Sequence, residues 1–146
     1  MKHLPVFLDI TDQPVLVVGG AEMAARKVEV IIKAGARITI VADELCPMLE
    51  DLAEQGSVQF KARAFDDGDL EGAILVFVAT EDEDLNSRVS ALAQGAGIPV
   101  NVIDRIELCS FIMPAVIDRS PMLVAITSGG DAPIIARALK ARLETV

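Results

Sequence analysis

The sequence predicts an α/β fold: a Rossmann-like parallel sheet with helices on both faces, followed by a small β/α segment. Three observations carry that prediction. Short continuous apolar runs alternate with amphipathic helical stretches, the pattern of βαβ units with right-handed crossovers. Hydrophobic residues make up 52% of the 146 residues but aromatic ones only 3%, so the core is aliphatic and suits layered α/β packing. Two strand-to-helix junctions are glycine pairs, Gly19-Gly20 and Gly129-Gly130.

The elements follow in order. Residues 14–18, Pro-Val-Leu-Val-Val, are an unbroken apolar run ending at the first glycine pair, the signature of a strand buried on both faces. Ala24, Val28, Ile31 and Ile32 then recur at helical spacing, with Arg26, Lys27, Glu29 and Lys33 opposite and Gly35 as the stop. A strand is expected over 37–41, a short helix over 45–54 ending at Gly56, and a weak strand over 58–60. Ile74 to Val78 reads as another buried strand. Leu85, Val89, Leu92 and Ala93 mark a helix ending near Gly95, and Pro99 opens a strand through Ile103.

After about residue 105 the pattern changes. Two apolar strands, 111–117 and 122–126, are joined by Asp118-Arg119-Ser120-Pro121, a turn composition that points to a hairpin or a crossing pair. A last helix carries Ile134, Ile135, Leu139 and Leu143 on one face. Residues 1–113 are therefore expected to form the dinucleotide-binding domain and 114–146 an association segment. Apolar strands and a helix with too little chain to cover them predict a homodimer.

Charge and cysteine content exclude several classes. Thirteen basic and 22 acidic side chains leave a net charge of −9, the opposite of a nucleic-acid-binding face. No apolar run approaches the roughly 18 residues of a membrane span, and the first residues lack the pattern of a signal peptide. Cys46 and Cys109 are isolated, without metal-type spacing, as expected of reduced thiols in a cytoplasmic protein. No metal site is expected. His3, close to the N-terminus, has no expected fixed catalytic role.

The first glycine turn, Gly19-Gly20-Ala21-Glu22-Met23-Ala24, has the strand-turn-helix context of a dinucleotide fingerprint. There a pyrophosphate lies against the N–H groups and positive dipole of the new helix. Ala21 stands at the second fingerprint glycine, and Glu22 favours the dipole but repels phosphate. The alternative is a tight turn that binds nothing. Asp43, just past the second strand, suits an adenosine ribose hydroxyl, and with Glu44 beside it NAD is expected over NADP; a helix cap is the competing role for Asp43. Thr80, at a strand's end, is the other expected cofactor contact.

Asp104 should project from the carboxyl end of the strand Val100-Asn101-Val102-Ile103, the edge where open α/β sheets bind ligands. A carboxylate near a nicotinamide suits a general base, although strand-end aspartates also serve to fix loops. Arg105 is a candidate partner for a substrate acid. The second turn, Ser128-Gly129-Gly130, opens a helix bearing Arg137, Lys140 and Arg142, and so attracts anions; its competing role is an N-cap by Ser128 or Asp131.

These residues together resemble a known family. His3-Leu4-Pro5-Val6-Phe7, Val17-Val18-Gly19-Gly20, Arg26-Lys27, Ala79-Thr80, Asn101-Val102-Ile103-Asp104, Ser110-Phe111-Ile112-Met113-Pro114, Ile117-Asp118-Arg119-Ser120-Pro121 and Ser128-Gly129-Gly130 stand in the order seen in siroheme synthase. The similarity is to its precorrin-2 dehydrogenase/sirohydrochlorin ferrochelatase module, and it covers almost the whole chain. It implies NAD-dependent oxidation of precorrin-2 to sirohydrochlorin, then insertion of ferrous iron. It places Gly19 to Met23 at the pyrophosphate, Asp43-Glu44 at the adenosine and Thr80 at the dinucleotide. Asp104 becomes the shared general base, and Ser128 a substrate-pocket serine phosphorylated in some members. Asn101, Arg105, Arg119, Gly129, Gly130 and Arg137 are the further expected contacts of the tetrapyrrole. Two features depart from the family: Ala21 replaces a third consecutive glycine, and the sequence ends at Val146, where the family continues into a helical domain. Two rival expectations are a nucleotide-sensing module without catalysis and an inactive NAD-binding core.

Overall fold

The computed structural model describes all 146 residues, Met1–Val146. Phe7–Ser110 forms one compact unit, and Met1–Val6 with Phe111–Val146 forms another. The division falls at Ser110/Phe111, three residues before the expected boundary, and the first six residues group with the second unit.

The larger unit is a five-stranded parallel sheet. Its strands are β1 (Pro14–Val18), β2 (Arg37–Ala42), β3 (Gln59–Ala62), β4 (Leu75–Val78) and β5 (Val100–Val102), in spatial order β3-β2-β1-β4-β5. Helices α1 (Glu22–Lys33), α2 (Pro47–Glu54) and α3 (Glu83–Gly95) connect them. Strand order reverses between β1 and β4, so the loops leaving these two strands diverge and leave a crevice at the carboxyl edge.

Two-residue alternation sorts the core. Leu16, Val18, Val76, Val78, Val100 and Val102 share one cluster with Val89 and Ala93 of α3 and with Phe65 and Leu70. Val15, Val17, Ile38, Ile40 and Phe77 are also buried, on the opposite face. Buried Ala24, Val28 and Ile31 line the inner side of α1. Every residue of β4 is buried, as the unbroken run implies.

Between β3 and β4 the chain crosses over by a 3-10 turn, Asp67–Leu70, closed by reciprocal bonds of Asp66 and Asp69. Asp69 also takes Arg63 at 2.6 Å. That guanidinium, more than any other group, holds the Asp69 carboxyl well below the usual carboxylate range, at about 2.

Helix α2 starts at Pro47 with Cys46 at its cap, so Asp43 does not cap it. The edge of β5 is closed by side chains. Val100 N–H donates to Ser110 Oγ at 2.9 Å and Val102 N–H to Cys109 Sγ at 3.1 Å. Burial, before any other cause, pushes the Cys109 thiol up.

The smaller unit holds an antiparallel hairpin, β6 (Ala115–Arg119) and β7 (Met122–Ile126), and helix α4 (Pro133–Glu144). A hairpin, not a crossing pair, is what forms. Strand β6 begins only after Pro114, whose missing N–H cannot join a ladder. Its turn contains the cis Ser120–Pro121 bond. Met122, Ile134 and Ile135 are 67%, 73% and 61% exposed.

Candidate functional site

Gly19 leaves β1 with a φ of +122°, and a Cβ there would lie 2.2 Å from the carbonyl oxygen of Ala79. A Cβ on Gly20 would lie 2.1 Å from the carbonyl oxygen of Glu44. Neither distance is tolerable, so both glycines are required by the protein's own backbone. The sequence pattern assigns these glycines to the close approach of pyrophosphate; the chain's own backbone already requires them. Here they let three loops close on one another. Gly20 C=O accepts from Cys46 N–H at 2.7 Å, and Gly19 N–H donates to Val41 C=O at 3.0 Å.

Gly19, Gly20, Ala21, Glu22 and Met23 thus lie between the Asp43–Glu44 loop on one side and Ala79–Thr80 on the other. Ala21 is the exposed N-cap of α1, without a side-chain cap bond, and Glu22 is exposed in the first turn. The first N–H groups of a helix have no partner within it and carry the positive dipole end. Past β2, Asp43 and Glu44 join Glu50 and Glu54 around an open depression of about 450 Å³ that is also lined by Leu45 and Phe60. Four carboxylates on apolar walls can accept from hydroxyl groups and repel an added phosphate.

The Thr80 hydroxyl is turned away from the edge. It donates to Asn86 Oδ1 at 2.5 Å and accepts from Asp82 N–H at 3.2 Å. Asn86 Nδ2 donates to Thr80 C=O at 3.0 Å. Asn86 was not among the sequence candidates. Its signal was only a polar residue on the inward side of α3, where it is 1% exposed.

Ile103 N–H donates to Val78 C=O at 2.9 Å, which sets the residue after it beside the end of β4. That residue, Asp104, has a φ of +62° and is exposed. Left-handed backbone is uncommon outside glycine and marks positions held by their surroundings. Its carboxylate makes no hydrogen bond or ion pair within the chain, so the loop-fixing role is not what the structure builds. Asn101 is buried inside β5, 7% exposed. Arg105 is ion-paired with Glu83 and with Glu107, the latter at 2.5 Å; a substrate acid would have to compete with both.

In the smaller unit, Ser128 Oγ accepts from Ala132 N–H at 2.9 Å. Ala132, not Ser128 or Asp131, is the N-cap of α4. Gly129 and Gly130 have φ of +71° and +95°. The His3 ring lies against this turn, its Nδ1 3.7 Å from where a Gly129 Cβ would be. Arg119 donates to Glu144 C=O at 2.6 Å, while Arg137 is exposed on α4 without a partner. No group of three His, Cys, Asp or Glu side chains is arranged to hold a metal ion. No helix is long and apolar enough to cross a membrane.

A dinucleotide fits what the larger unit presents. The crevice at the strand-order reversal, the free first turn of α1 and the acceptor-rich depression past β2 lie side by side along one sheet edge. The chemistry of each matches phosphate or ribose.

Residues 6–115 match a family model described as "Putative NAD(P)-binding". The chain is 49% identical over its full length to a siroheme synthase of Methylobacillus flagellatus, covering 31% of that protein. It is 50% identical over 99% of its length to a siroheme synthase of Ectopseudomonas mendocina, again covering 31%. It therefore spans about a third of the length of the curated relatives it matches. Among solved structures, SirC, a precorrin-2 dehydrogenase, superposes with a TM-score of 0.79 at 26% identity, over 98% of this chain and 70% of that one. Rossmann-like fold, glycine turn and sequence agree, and the chain belongs to this NAD(P)-binding family, with siroheme synthases among its relatives and NAD as its cofactor.

Proposed function

We propose that the chain oxidises precorrin-2 to sirohydrochlorin with NAD⁺, as a step of siroheme synthesis in the cytoplasm. The observation that supports this most is Asp104. It is an exposed, unpartnered carboxylate in left-handed backbone, on the same sheet edge as the dinucleotide crevice. The relatives' names supply the substrate class.

When bound, NAD⁺ supplies the hydride acceptor. The glycine turn and the start of α1, from Gly19 to Met23, would hold the pyrophosphate, and Asp43 with Glu44 would accept from the adenosine ribose. Ala79 and Thr80 present backbone to the dinucleotide. The substrate loses two electrons and two protons: one proton leaves with the electron pair as hydride, and Asp104 takes the other. Exposure of Asp104 lets that proton pass to solvent.

An acidic tetrapyrrole meets a chain of net charge −9, so local cations and N–H groups have to reverse the field. Ser128, Gly129 and Gly130 offer a turn of N–H groups, Arg137 is an unpaired cation, and Arg119, Arg105 and Asn101 are the remaining contacts. Ferrous iron is the second substrate, inserted with Asp104 accepting pyrrole protons; the pyrrole nitrogens become its ligands, so the protein need not store it. The exposed apolar residues of β7 and α4 pair with a second copy as a homodimer.

The test is direct. The 146-residue chain is mixed with NAD⁺ and precorrin-2, and sirohydrochlorin absorbance is followed together with NADH emission. Equal amounts of both products are expected. NAD⁺ binding without turnover would overturn the dehydrogenase reading and favour a sensing module or an inactive core.

A further inference from the structure

We propose that Asn86 is a positioning residue for the dinucleotide, acting through Thr80. The proposal rests on the reading that NAD lies in the crevice between β1 and β4.

An asparagine is a poor choice inside a helix, and burying its amide is costly unless both ends are bonded. Asn86 is 1% exposed, and a single residue satisfies both ends. Thr80 Oγ1 donates to Oδ1 at 2.5 Å, and Nδ2 donates to Thr80 C=O at 3.0 Å. This two-point clamp fixes the hydroxyl and the carbonyl of Thr80 together. It also turns the hydroxyl inward, so that it accepts from Asp82 N–H at 3.2 Å. Asp82 in turn caps α3 by accepting from Leu85 N–H at 3.1 Å.

The clamped residue forms one wall of the crevice. The Cβ position of Gly19 lies 3.4 Å from Thr80 Cγ2 and 2.2 Å from Ala79 C=O. Movement of Thr80 therefore changes the space beside the first residue of the phosphate-facing turn. Only a side chain with one donor and one acceptor on a short stem makes both bonds. Aspartate has no donor, so its carboxylate would face the Thr80 carbonyl; leucine has neither group. Thr80 then contributes to cofactor binding by where its backbone lies, while its hydroxyl bonds within the protein.

NADH fluorescence titration reads the effect, because the chain contains no tryptophan or tyrosine to interfere. The same samples give melting temperatures. Asn86→Asp and Thr80→Val are each expected to weaken NADH binding about tenfold, with the double variant no weaker than either alone. Ser90→Ala is the control. Ser90 is equally buried one turn along α3, where it donates to Leu108 C=O at 2.6 Å. It is expected to lower the melting temperature and leave the affinity within about twofold. If Asn86→Asp does not fold, Thr80→Val decides the matter. Wild-type affinity in Thr80→Val, or a loss that merely tracks melting temperature across all the variants, overturns the proposal. Failure of the wild-type chain to bind NADH overturns the cofactor reading itself, and this proposal with it.

Discussion

Gly19 and Ala79 approach so closely that a single methyl group on Gly19 would lie 2.2 Å from the Ala79 carbonyl oxygen. The ends of β1 and β4 are thus locked together by the absence of a side chain. Gly19→Ala adds that clash to an unfavourable φ of +122°, and is expected to destabilise the cofactor-free protein by about 3 kcal/mol. Urea unfolding without NAD measures it. A cost below about 1 kcal/mol would mean that the glycine is there for the ligand alone.

The fold was legible where one face or both faces of an element are buried. β1 and β4 are unbroken apolar runs, and α1 carries its inward residues at helical spacing, so each stands within a residue or two of its expected place. What escaped notice depends on pairs far apart in the chain. Glu44 lies 24 positions from Gly20, Glu83 lies 22 from Arg105, and His3 meets Gly129 across almost the whole sequence. No local pattern encodes such contacts. Thr80 is an expected cofactor contact from its place at a strand's end, but the direction of its hydroxyl depends on Asn86, whose buried role only packing reveals.

Asp69 gives a pH dependence with a definite sign. Its folded pKa, about 2, lies below the ordinary 3.8, chiefly because Arg63 bonds the carboxylate. The stabilisation is therefore complete above about pH 5 and is lost as pH falls from there toward 2. Arg63 is 45% exposed, so solvent screening limits the contribution to about 1 kcal/mol. Asp69→Asn is expected to unfold at lower urea than the wild type at pH 7, with the gap narrowing steadily between pH 5 and pH 2.5. A gap independent of pH would remove the ionised pair as its cause.

The apolar surface of β7 and α4 makes the association state testable. Light scattering at micromolar concentration is expected to give twice the mass of the chain. Ile134→Glu, on a side chain already 73% exposed, is expected to shift that mass toward the monomer with little change in melting temperature at low concentration. A wild-type monomer would contradict the homodimer.

Asp104→Asn tests the central claim most directly. The substitution keeps the size and φ preference of the residue while removing the base. Wild-type and variant chains are titrated with NADH and then assayed with NAD⁺ and precorrin-2. The expected result is unchanged NADH affinity with sirohydrochlorin formation reduced at least about a hundredfold, the usual contribution of a positioned general base. Turnover by Asp104→Asn at the wild-type rate would contradict it.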